Sequence, residues 1–328
     1  MAPERMVQIV CLGELLIDFV SLESGVSLVE ALSFQKAAGG APANVAVGLA
    51  RLGHTVGFVG KVGAESFGEF LIGVLRENHV DVSGMAVDDQ ARTMLAFVSL
   101  THEGERDFMF YRHPSADMRL TPEEIPEQLI ANAAIFHYGS ISLISEPCRS
   151  ATFHALEIAQ KSGCLISYDP NLRLGLWESE ELARCEMLHG MTYANIVKIN
   201  DDELEFLTGT RNFQEGAARL LEYGPSLIII TLGKNGCYFC STSAEGSIPG
   251  FPIQAIDTTG AGDGFVAGLL SGLLSHIRPH EPFATPDKAV MEQICRFANA
   301  VGAITSLKRG AIPSLPYQKE VETFMQQV

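Results

Sequence analysis

A turn built from very small residues leads into an aspartate at position 263. Gly260, Ala261 and Gly262 have almost no side chain, so their backbone N–H groups can converge on a bound oxyanion. A helix predicted to begin near Asp263 adds its partial positive charge at the same place. Because a carboxylate repels phosphate, Asp263 makes most sense as the base that deprotonates a hydroxyl attacking phosphorus. The pattern therefore indicates phosphoryl transfer.

A simpler interpretation assigns Asp263 to capping of a buried helix, since aspartate is a favoured N-cap residue. A Gly-Ala-Gly-Asp pattern by itself is also short enough to recur by chance. Two further features favour chemistry: Asp257 precedes it with two threonines between, and a second glycine-rich turn occurs near the N-terminus.

That second turn contains Gly39 and Gly40 and opens an alanine-rich helix predicted to run through residue 52. Asn44 lies on the first turn of this helix, where its amide would suit a sugar hydroxyl. Asp18, at the end of the first strand region, would suit the same ligand. The alternative is a tight turn in which Asn44 caps the helix locally.

A third candidate segment follows a predicted strand and begins a helix at Asn200. Asn200 and Glu203 are three residues apart, so they share one face and could organise metal-bound water near phosphates. A capping box with surface acids accounts for the same Asn-x-x-Glu spacing.

A fourth segment, which contains Thr231, Gly233 and Gly236, also follows a strand and could lie under a nucleotide. It does not form the G-x-x-x-x-G-K-[ST] pattern of a P-loop. No G-x-G-x-x-G follows the first strand, which argues against a dinucleotide enzyme. The histidines are dispersed, which argues against a catalytic transition-metal site.

Short apolar runs alternate with helical patterns along most of the chain. The predicted strands cover residues 7–12, 56–59, 134–138, 165–168, 196–199 and 227–231. Further predicted helices cover residues 67–78, 150–161 and 215–222. This alternation predicts an α/β fold with a mainly parallel central sheet covered by helices on both faces.

Two stretches, about 17–34 and 92–112, interrupt this alternation as extended, partly polar segments, the second with a turn at Glu103 and Gly104. They predict a small inserted β-sheet, which would suit a lid that excludes water from phosphoryl transfer. An ordinary edge hairpin is the alternative. Without repeats or a low-complexity linker, residues 1–328 are expected to form one domain with an inserted lid.

A stripe of small residues follows the candidate base along its helix. Gly264, Gly268 and Gly272 recur at intervals of four, which predicts that this face of the helix packs closely against the sheet. The stripe would tie the anion-binding end of the helix rigidly to the core.

Acidic residues outnumber basic ones, 39 to 23, and give a formal net charge of −16. This charge argues against a nucleic-acid or anionic-membrane surface, and no run approaches the roughly 18 uncharged apolar residues of a membrane span. With no targeting leader apparent, the protein is expected to be cytoplasmic. The seven cysteines lack framework or zinc-site spacing and are expected to be reduced core thiols.

The two glycine-rich turns, residues 39–44 and 257–263, resemble both halves of the signature of the ribokinase-like (PfkB) sugar kinases. The likeness runs nearly end to end and is strongest to the plant-type fructokinases. The stretches that carry the closer likeness are 13–19, 108–112, 136–143 and 168–173. The resemblance implies a ribokinase-like fold, with Asp263 as catalytic base and Gly260, Ala261 and Gly262 as its anion hole.

The resemblance also implies roles for other residues. The implied sugar-binding set is Asp18, Gly39, Gly40, Asn44, Phe110, Arg112 and Arg173. The implied set for ATP and Mg²⁺ is Asn200, Glu203, Thr231, Gly233, Gly236 and Asn299. The implied site for a monovalent cation, K⁺, comprises Asp257, Thr259, Gly310 and Ser314.

The expected activity is therefore ATP-dependent phosphorylation of the 6-hydroxyl of D-fructose, with a possible homodimer through the lid. The region 139–142 is neutral where ribokinase has an acidic residue in its sugar pocket, which argues against ribose. The alternatives are a kinase for ribose, a nucleoside or 2-keto-3-deoxygluconate, and a catalytically silent sugar-binding relative.

Overall fold

The computed structural model describes residues 7–23, 25–100, 106–277 and 283–327, so the predicted turn at Glu103 and Gly104 lies outside the described residues. The strands of this part of the chain are β1 (Ile9–Leu12), β2 (Leu16–Ser21), β3 (Phe34–Gly39), β4 (Val56–Gly63), β5 (Asp81–Asp88), β6 (Leu95–Leu100), β7 (Arg106–Tyr111), β8 (Ile135–Gly139), β9 (Leu165–Asp169), β10 (Ile196–Asn200), β11 (Leu227–Thr231), β12 (Cys237–Ser241) and β13 (Glu245–Ile248).

The helices follow the strands in the order expected for βαβ units. The α-helices are α1 (Ala41–Arg51), α2 (Ser66–Glu77), α3 (Glu127–Ala131), α4 (Cys148–Lys161), α5 (Glu180–Met191), α6 (Asp201–Thr208), α7 (Phe213–Leu221), α8 (Ala261–Leu274), α9 (Lys288–Thr305), α10 (Ala311–Ser314) and α11 (Gln318–Gln327). Short 3₁₀ turns lie at Ala116–Arg119, Pro122–Glu124, Ile141–Leu143, Leu174–Leu176 and Gly233–Asn235.

The main sheet has nine strands in the order β13-β12-β11-β10-β9-β8-β1-β4-β5. The seven strands from β11 to β5 are parallel, and β12 and β13 complete the edge as antiparallel strands. In β1, Ile9 and Cys11 pack into one core cluster while Val10 and Leu12 pack into another. Since alternate side chains point to opposite faces, the two clusters are the two covered faces of the sheet. The predicted α/β architecture is confirmed.

The carboxyl ends of the parallel strands meet at one edge of this sheet. Asp169 ends β9, Asn200 ends β10 directly before α6, and Thr231 ends β11. Ligands of open α/β sheets bind outside this edge. These three strand ends therefore share one side of the molecule.

A second, four-stranded sheet has the order β3-β2-β6-β7, and it confirms the predicted small sheet. Its aromatic side chains pack on one another, with the rings of Phe19 and Phe97 stacked at a centroid distance of 5.0 Å. Phe19 also makes an edge contact with Phe67 of α2, which joins the small sheet to the main body. The extended segment expected over 17–34 is wrong after Ser21, where β2 ends, because the next strand begins only at Phe34.

The glycine stripe of α8 packs against a helix and not against the sheet, which corrects the sequence-based expectation. A Cβ atom at Gly264 would lie 2.6 Å from Thr305 Oγ1, and one at Gly268 would lie 2.8 Å from Ala298 Cα. Both neighbours belong to α9. The missing side chains therefore set the distance between the two helices.

Two composition-based expectations can be compared with the described residues. Cys185 is exposed, so the expectation that all the thiols are core residues is wrong at that position. The other six cysteines are buried or half-buried. Within the described ranges, no helix combines the length and the apolar character needed to cross a lipid bilayer.

We expect Gly268→Ala to destabilise the fold, because the new methyl group would overlap the backbone of α9. The net loss should be about 1–2 kcal/mol after the gain in helix propensity is subtracted. Gly73→Ala in α2 is the matched control, since a Cβ atom there has no neighbour within 4 Å. It should stabilise the fold by about 0.5–1 kcal/mol. Urea unfolding of both variants measures the difference, and equal effects would contradict the packing argument.

Candidate active site

The two glycine-rich turns meet through one buried hydrogen bond. Asn44 Nδ2 on α1 donates to Asp263 Oδ2 on α8 at 2.7 Å, across 219 residues of sequence. Both side chains are less than a tenth exposed. The interpretation of Asn44 as a local cap is therefore wrong, because its amide is directed at the other turn.

Gly260 is the N-cap of α8 and adopts a left-handed conformation with φ 76°. Asp263 lies inside the first turn of the helix, so the interpretation of Asp263 as the cap is also wrong. The Ala261 N–H donates to the Thr258 carbonyl at 3.2 Å. In the described part of the chain, the N–H groups of Gly262 and Asp263 have no backbone acceptor. The start of α8 thus presents free donors beside the Asp263 carboxylate.

The surroundings of Asp263 hold its pKa in the range that suits a general base. Burial raises the pKa of Asp263 to about 6, although the hydrogen bond from Asn44 lowers it. The nearby Asp169 carboxylate raises this pKa further, while Lys198 and Arg173 oppose the rise. A carboxylate with a pKa near the working pH can accept a proton and still be ionised before the reaction.

An ion pair that the sequence analysis did not assign lies next to this carboxylate. Lys198 Nζ on β10 lies 3.0 Å from Asp169 Oδ2 on β9, and both residues are buried. The same Nζ lies 3.2 Å from the position that a Cβ atom of Gly262 would occupy. The only sequence signal was that Lys198 lies within one predicted strand and Asp169 directly follows another.

Two acidic residues, Asp18 and Glu14, pack against the first glycine turn. A Cβ atom at Gly39 would lie 2.1 Å from Asp18 Oδ2, and one at Gly40 would lie 2.3 Å from the Glu14 carbonyl oxygen. Gly40 has φ 112°, so both glycines are required by space or by backbone conformation. Glu14 Oε1 accepts the Ala41 N–H at 2.8 Å, which holds the start of α1. Glu14 was not among the residues predicted from the sequence. Burial raises the pKa of Glu14 to about 7 despite this hydrogen bond.

A cavity of about 640 Å³ lies between β7 and the loop after β9, and Phe110, Arg112 and Arg173 line it. Arg112 is buried and pairs with Asp117 at 2.9 Å, and it also donates to the Ile141 carbonyl. Arg173 is half-buried, and its guanidinium carbon lies 5.8 Å from the ring centroid of Phe108. Of the two arginines, only Arg173 has no carboxylate partner among the described residues.

Asn200 and Glu203 form the capping box that was the structural alternative at this segment. Asn200 Oδ1 accepts the Glu203 N–H at 2.7 Å, and Glu203 Oε2 accepts the Asn200 N–H at 2.8 Å. Glu203 Oε1 also accepts the Leu172 N–H at 2.7 Å, so this buried side chain joins α6 to the loop after β9. Burial raises the pKa of Glu203, and Lys198 opposes this rise.

The candidate nucleotide segment forms a tight turn between β11 and β12. A Cβ atom at Gly236, where φ is 94°, would lie 2.0 Å from the Ile248 carbonyl oxygen. Asn299 Nδ2 donates to that same carbonyl at 3.3 Å, so α9 reaches the same turn. Thr231 Oγ1 donates to the Ile199 carbonyl, and Gly233 has φ 55°. The structure thus brings these four residues into one region.

The four residues of the candidate cation site also come together. Asp257 Oδ1 accepts the Thr259 hydroxyl at 2.6 Å, and Asp257 Oδ2 accepts the Gly310 N–H at 2.9 Å. Ser314 Oγ donates to the Gly310 carbonyl. A Cβ atom at Gly260 would lie 2.8 Å from Ala311 Cβ. This oxygen-rich cluster therefore lies directly behind the start of α8.

Comparison with known proteins gives one consistent family. Residues 6–318 match the model of the pfkB family carbohydrate kinases. The chain is 50% identical over 319 residues to Fructokinase-1 of Oryza sativa subsp. japonica, covering 97% of each chain. It also matches the crystal structure of fructokinase with bound ATP from Xylella fastidiosa, with TM-score 0.88 and 33% identity over 98% of this chain and 99% of that one.

A second solved structure carries both a sugar and a monovalent ion. It is a double mutant of fructokinase from Vibrio cholerae O395 with fructose, ADP and potassium bound. The TM-score is 0.84 and the identity 31%, over 97% of this chain and 98% of that one.

We expect Asp263→Asn to stabilise the fold at neutral and alkaline pH. Folding raises the pKa of Asp263 to about 6 from 3.8, so the folded state loses stability as pH rises through this interval. The variant should be more stable by about 1–3 kcal/mol at pH 8, and the gain should shrink toward pH 4. Urea unfolding at both pH values measures the effect.

Asp88→Asn is the matched control with the opposite sign. Burial would raise the pKa of Asp88, but hydrogen bonds from Arg119 and neighbouring donors lower it well below its usual range. This substitution should therefore destabilise the fold at pH 8. A gain at Asp88, or no gain at Asp263, would contradict the electrostatic description.

Proposed function

The chain belongs to the pfkB family of carbohydrate kinases, and we propose that it is a fructokinase that transfers the terminal phosphoryl group of ATP to the 6-hydroxyl of D-fructose. The observation that carries this proposal is the buried Asn44–Asp263 hydrogen bond, which places a carboxylate with raised pKa beside free N–H donors. The relatives named fructokinase, and the related structure with fructose and ADP bound, support fructose as the acceptor.

In the proposed reaction the oxygen of the 6-hydroxyl attacks the γ-phosphorus, and its proton moves to Asp263. The bond between the γ-phosphorus and the bridging oxygen breaks, giving fructose 6-phosphate and ADP. N–H donors at the start of α8, among them those of Gly262 and Asp263, stabilise the charge on the transferred group. Asn44 keeps the carboxylate oriented toward the hydroxyl through its 2.7 Å hydrogen bond.

The sugar would lie between the first glycine turn and the cavity under the small sheet. Asp18, whose carboxylate packs closely against Gly39, offers carboxylate oxygens to the sugar hydroxyls. Phe110 and Arg173 line the far side, where Arg173 is positioned to meet an anionic group. Arg112 would act by holding Asp117 and the Ile141 backbone, since its guanidinium is already engaged.

ATP would bind along the turns after β10 and β11. Gly233, Gly236 and Thr231 line the turn next to Asn299, which fits a flat base and ribose. Within the described residues, no group of three or more acidic, histidine or cysteine side chains could hold a metal alone. The oxygen atoms of Asn200 and Glu203 fit Mg²⁺, which proteins hold mainly through phosphates and water. These two residues would arrange the water bound to the metal. Bound Mg²⁺ supplies positive charge at the phosphates.

The cluster around Asp257 fits a monovalent cation. It gathers a carboxylate, the hydroxyls of Thr259 and Ser314 and the Gly310 backbone, all oxygen-rich groups suited to K⁺. The related structure with potassium bound supports this proposal. A cation there would support the start of α8 from behind, through the contact between Gly260 and Ala311.

We further propose that the chain works as one kinase domain whose small sheet closes over the sugar. Phe108, Met109 and Tyr111 of the edge strand β7 are 38%, 43% and 58% exposed, which supports a homodimer through this sheet. A cytoplasmic location, without membrane or nucleic-acid partners, remains the prediction from composition and charge.

Replacing Asp263 should separate catalysis from folding. Asp263→Asn and Asp263→Ala should each lower kcat by roughly 10²- to 10⁴-fold, the range for loss of a general base. Fructose binding should persist, because the sugar contacts lie elsewhere. Steady-state kinetics and equilibrium titration with fructose measure the two effects. Near-normal turnover by either variant would remove the assigned role.

The acceptor is tested by comparing kcat/KM for fructose, ribose, a nucleoside and 2-keto-3-deoxygluconate under one set of conditions. We expect fructose to have the highest value, since the neutral region 139–142 offers ribose no acidic partner. A clear preference for another sugar would replace fructose as the substrate. Absence of turnover with every sugar would favour a silent sugar-binding protein.

A further inference from the structure

We propose that Lys198 is a fixed cation of the phosphoryl site, whose ammonium group binds the phosphoryl group during transfer, and that Asp169 is its positioning residue. This inference rests on the proposed kinase function and deepens it. It adds a buried cation to a site whose other described groups are backbone N–H donors, carboxylates, the Asn44 amide and the half-buried Arg173.

Lys198 lies next to the start of α8. Its Nζ lies 3.2 Å from the place where a Cβ atom of Gly262 would be, in the first turn of α8. That turn carries the free N–H groups of Gly262 and Asp263. An oxyanion bound by these donors would therefore lie within reach of the ammonium group.

The hydrogen bonds of Lys198 are incomplete, which is the second argument. An ammonium group has three N–H donors. Among the described residues, Lys198 Nζ has only Asp169 Oδ2 as an acceptor, at 3.0 Å. The other oxygen of that carboxylate, Asp169 Oδ1, is buried without a partner. Lys198 therefore retains two N–H donors that the oxygens of a bound phosphoryl group can accept.

Lys61 shows what a buried structural lysine looks like in the same protein. It is 8% exposed, close to the 7% of Lys198. Its Nζ donates to the Arg119 carbonyl at 3.1 Å and to Glu124 at 2.8 Å, and it lies 3.3 Å from Asp88. Its donors are thus accounted for by the protein. The contrast with Lys198 argues against a purely structural role for the latter.

The charges around Lys198 give the third argument. The carboxylates of Asp169, Glu203 and Asp263, on β9, α6 and α8, all face it and outweigh burial to raise its pKa. His137 on β8 faces the same pair, and burial lowers the pKa of this histidine to about 4, so it adds no charge at neutral pH. A phosphoryl group entering among three carboxylates needs a cation that is already in place.

A purely structural link between β9 and β10 explains the Lys198–Asp169 ion pair less well. The strands β9 and β10 are already joined by their parallel ladder. Replacing a buried ion pair with apolar residues of similar volume is often neutral or stabilising. The charges of Lys198 and Asp169 therefore indicate a function other than joining these strands.

The test compares Lys198→Met with Lys61→Met as the matched control, after the wild type has been assayed with fructose. Lys198→Met should lower kcat by about 10²- to 10³-fold with the KM for fructose within a few-fold. Lys61→Met should lower thermal stability but keep kcat within about threefold of the wild type, because Lys61 lies outside the phosphoryl site. If Lys198→Met fails to fold, Lys198→Met combined with Asp169→Asn removes both charges and is assayed instead.

The pH dependence of kcat/KM distinguishes a site role from a structural one. The groups facing Asp263 are Asn44, Asp169, Lys198 and Arg173. The acid limb of the kcat/KM profile should lie near pH 6, where Asp263 titrates. Lys198→Met should move this limb to higher pH, because Lys198 lowers the pKa of Asp263. Asp169→Asn should move it to lower pH and reduce kcat about tenfold, since Lys198 then loses its anchor. If the acid limb of the kcat/KM profile stays at the same pH in both variants and Lys198→Met keeps its kcat, the inference is wrong.

Binding of nucleotides tests the inference without any sugar. Lys198→Met should weaken binding of the non-hydrolysable analogue AMP-PNP about tenfold more than binding of ADP, because only the former carries a γ-phosphate. Equal losses for the two nucleotides would contradict the proposed contact. If the wild type phosphorylates no sugar, the proposed function fails, while this comparison still decides the role of Lys198.

Discussion

The hydrogen bond between Asn44 and Asp263 fixes the starts of α1 and α8 relative to each other, and most of the site depends on that distance. Two close approaches make the bond possible. A Cβ atom at Gly48 would lie 2.7 Å from Ala267 Cβ, so the two helices can pack closely. Gly40 and Gly260 both have positive φ and begin these helices at sharp turns. The glycines therefore serve one purpose, which is to bring an amide and a carboxylate together in the interior.

The site concentrates negative charge in a protein that is already acidic, with a formal net charge of −16. The Asp169 carboxylate raises the pKa of both Glu203 and Asp263, and all three residues are buried. Lys198 and Arg173 are the cations that oppose this charge at Asp263. A buried carboxylate with a raised pKa costs stability, and it is the kind of group that can accept a proton near neutral pH. Stability and reactivity are thus opposed at the same residue.

The small sheet is joined to the site through its own strands. Asp18 belongs to β2, and its carboxylate lies against Gly39 at the end of β3, directly before α1. At the other side of the sheet, Phe108 of β7 packs near the guanidinium of Arg173. A movement of this sheet would therefore carry residues of the proposed sugar site, and not only a cover above it.

The sequence alone determined the features that depend on local pattern. Strands such as β8, β9 and β11 were predicted nearly at their observed bounds, because strands covered on both faces must be continuously apolar. The turns at Gly40 and Gly260, and Asp263 beside the second, were also predicted, since few residue types tolerate such backbone geometry. The presence of a small separate sheet followed from the interrupted alternation.

Tertiary structure decided which residues face one another. The glycine stripe of α8 meets α9, and Asn44 meets Asp263 instead of capping its own helix. Lys198 and Glu14 were missed, because a lysine within a strand, or a glutamate in the loop after one, acquires its partners from other strands and helices. Periodicity and turn chemistry act over a few residues, whereas these contacts join positions up to 219 residues apart. Only the packing of the whole chain specifies such pairs.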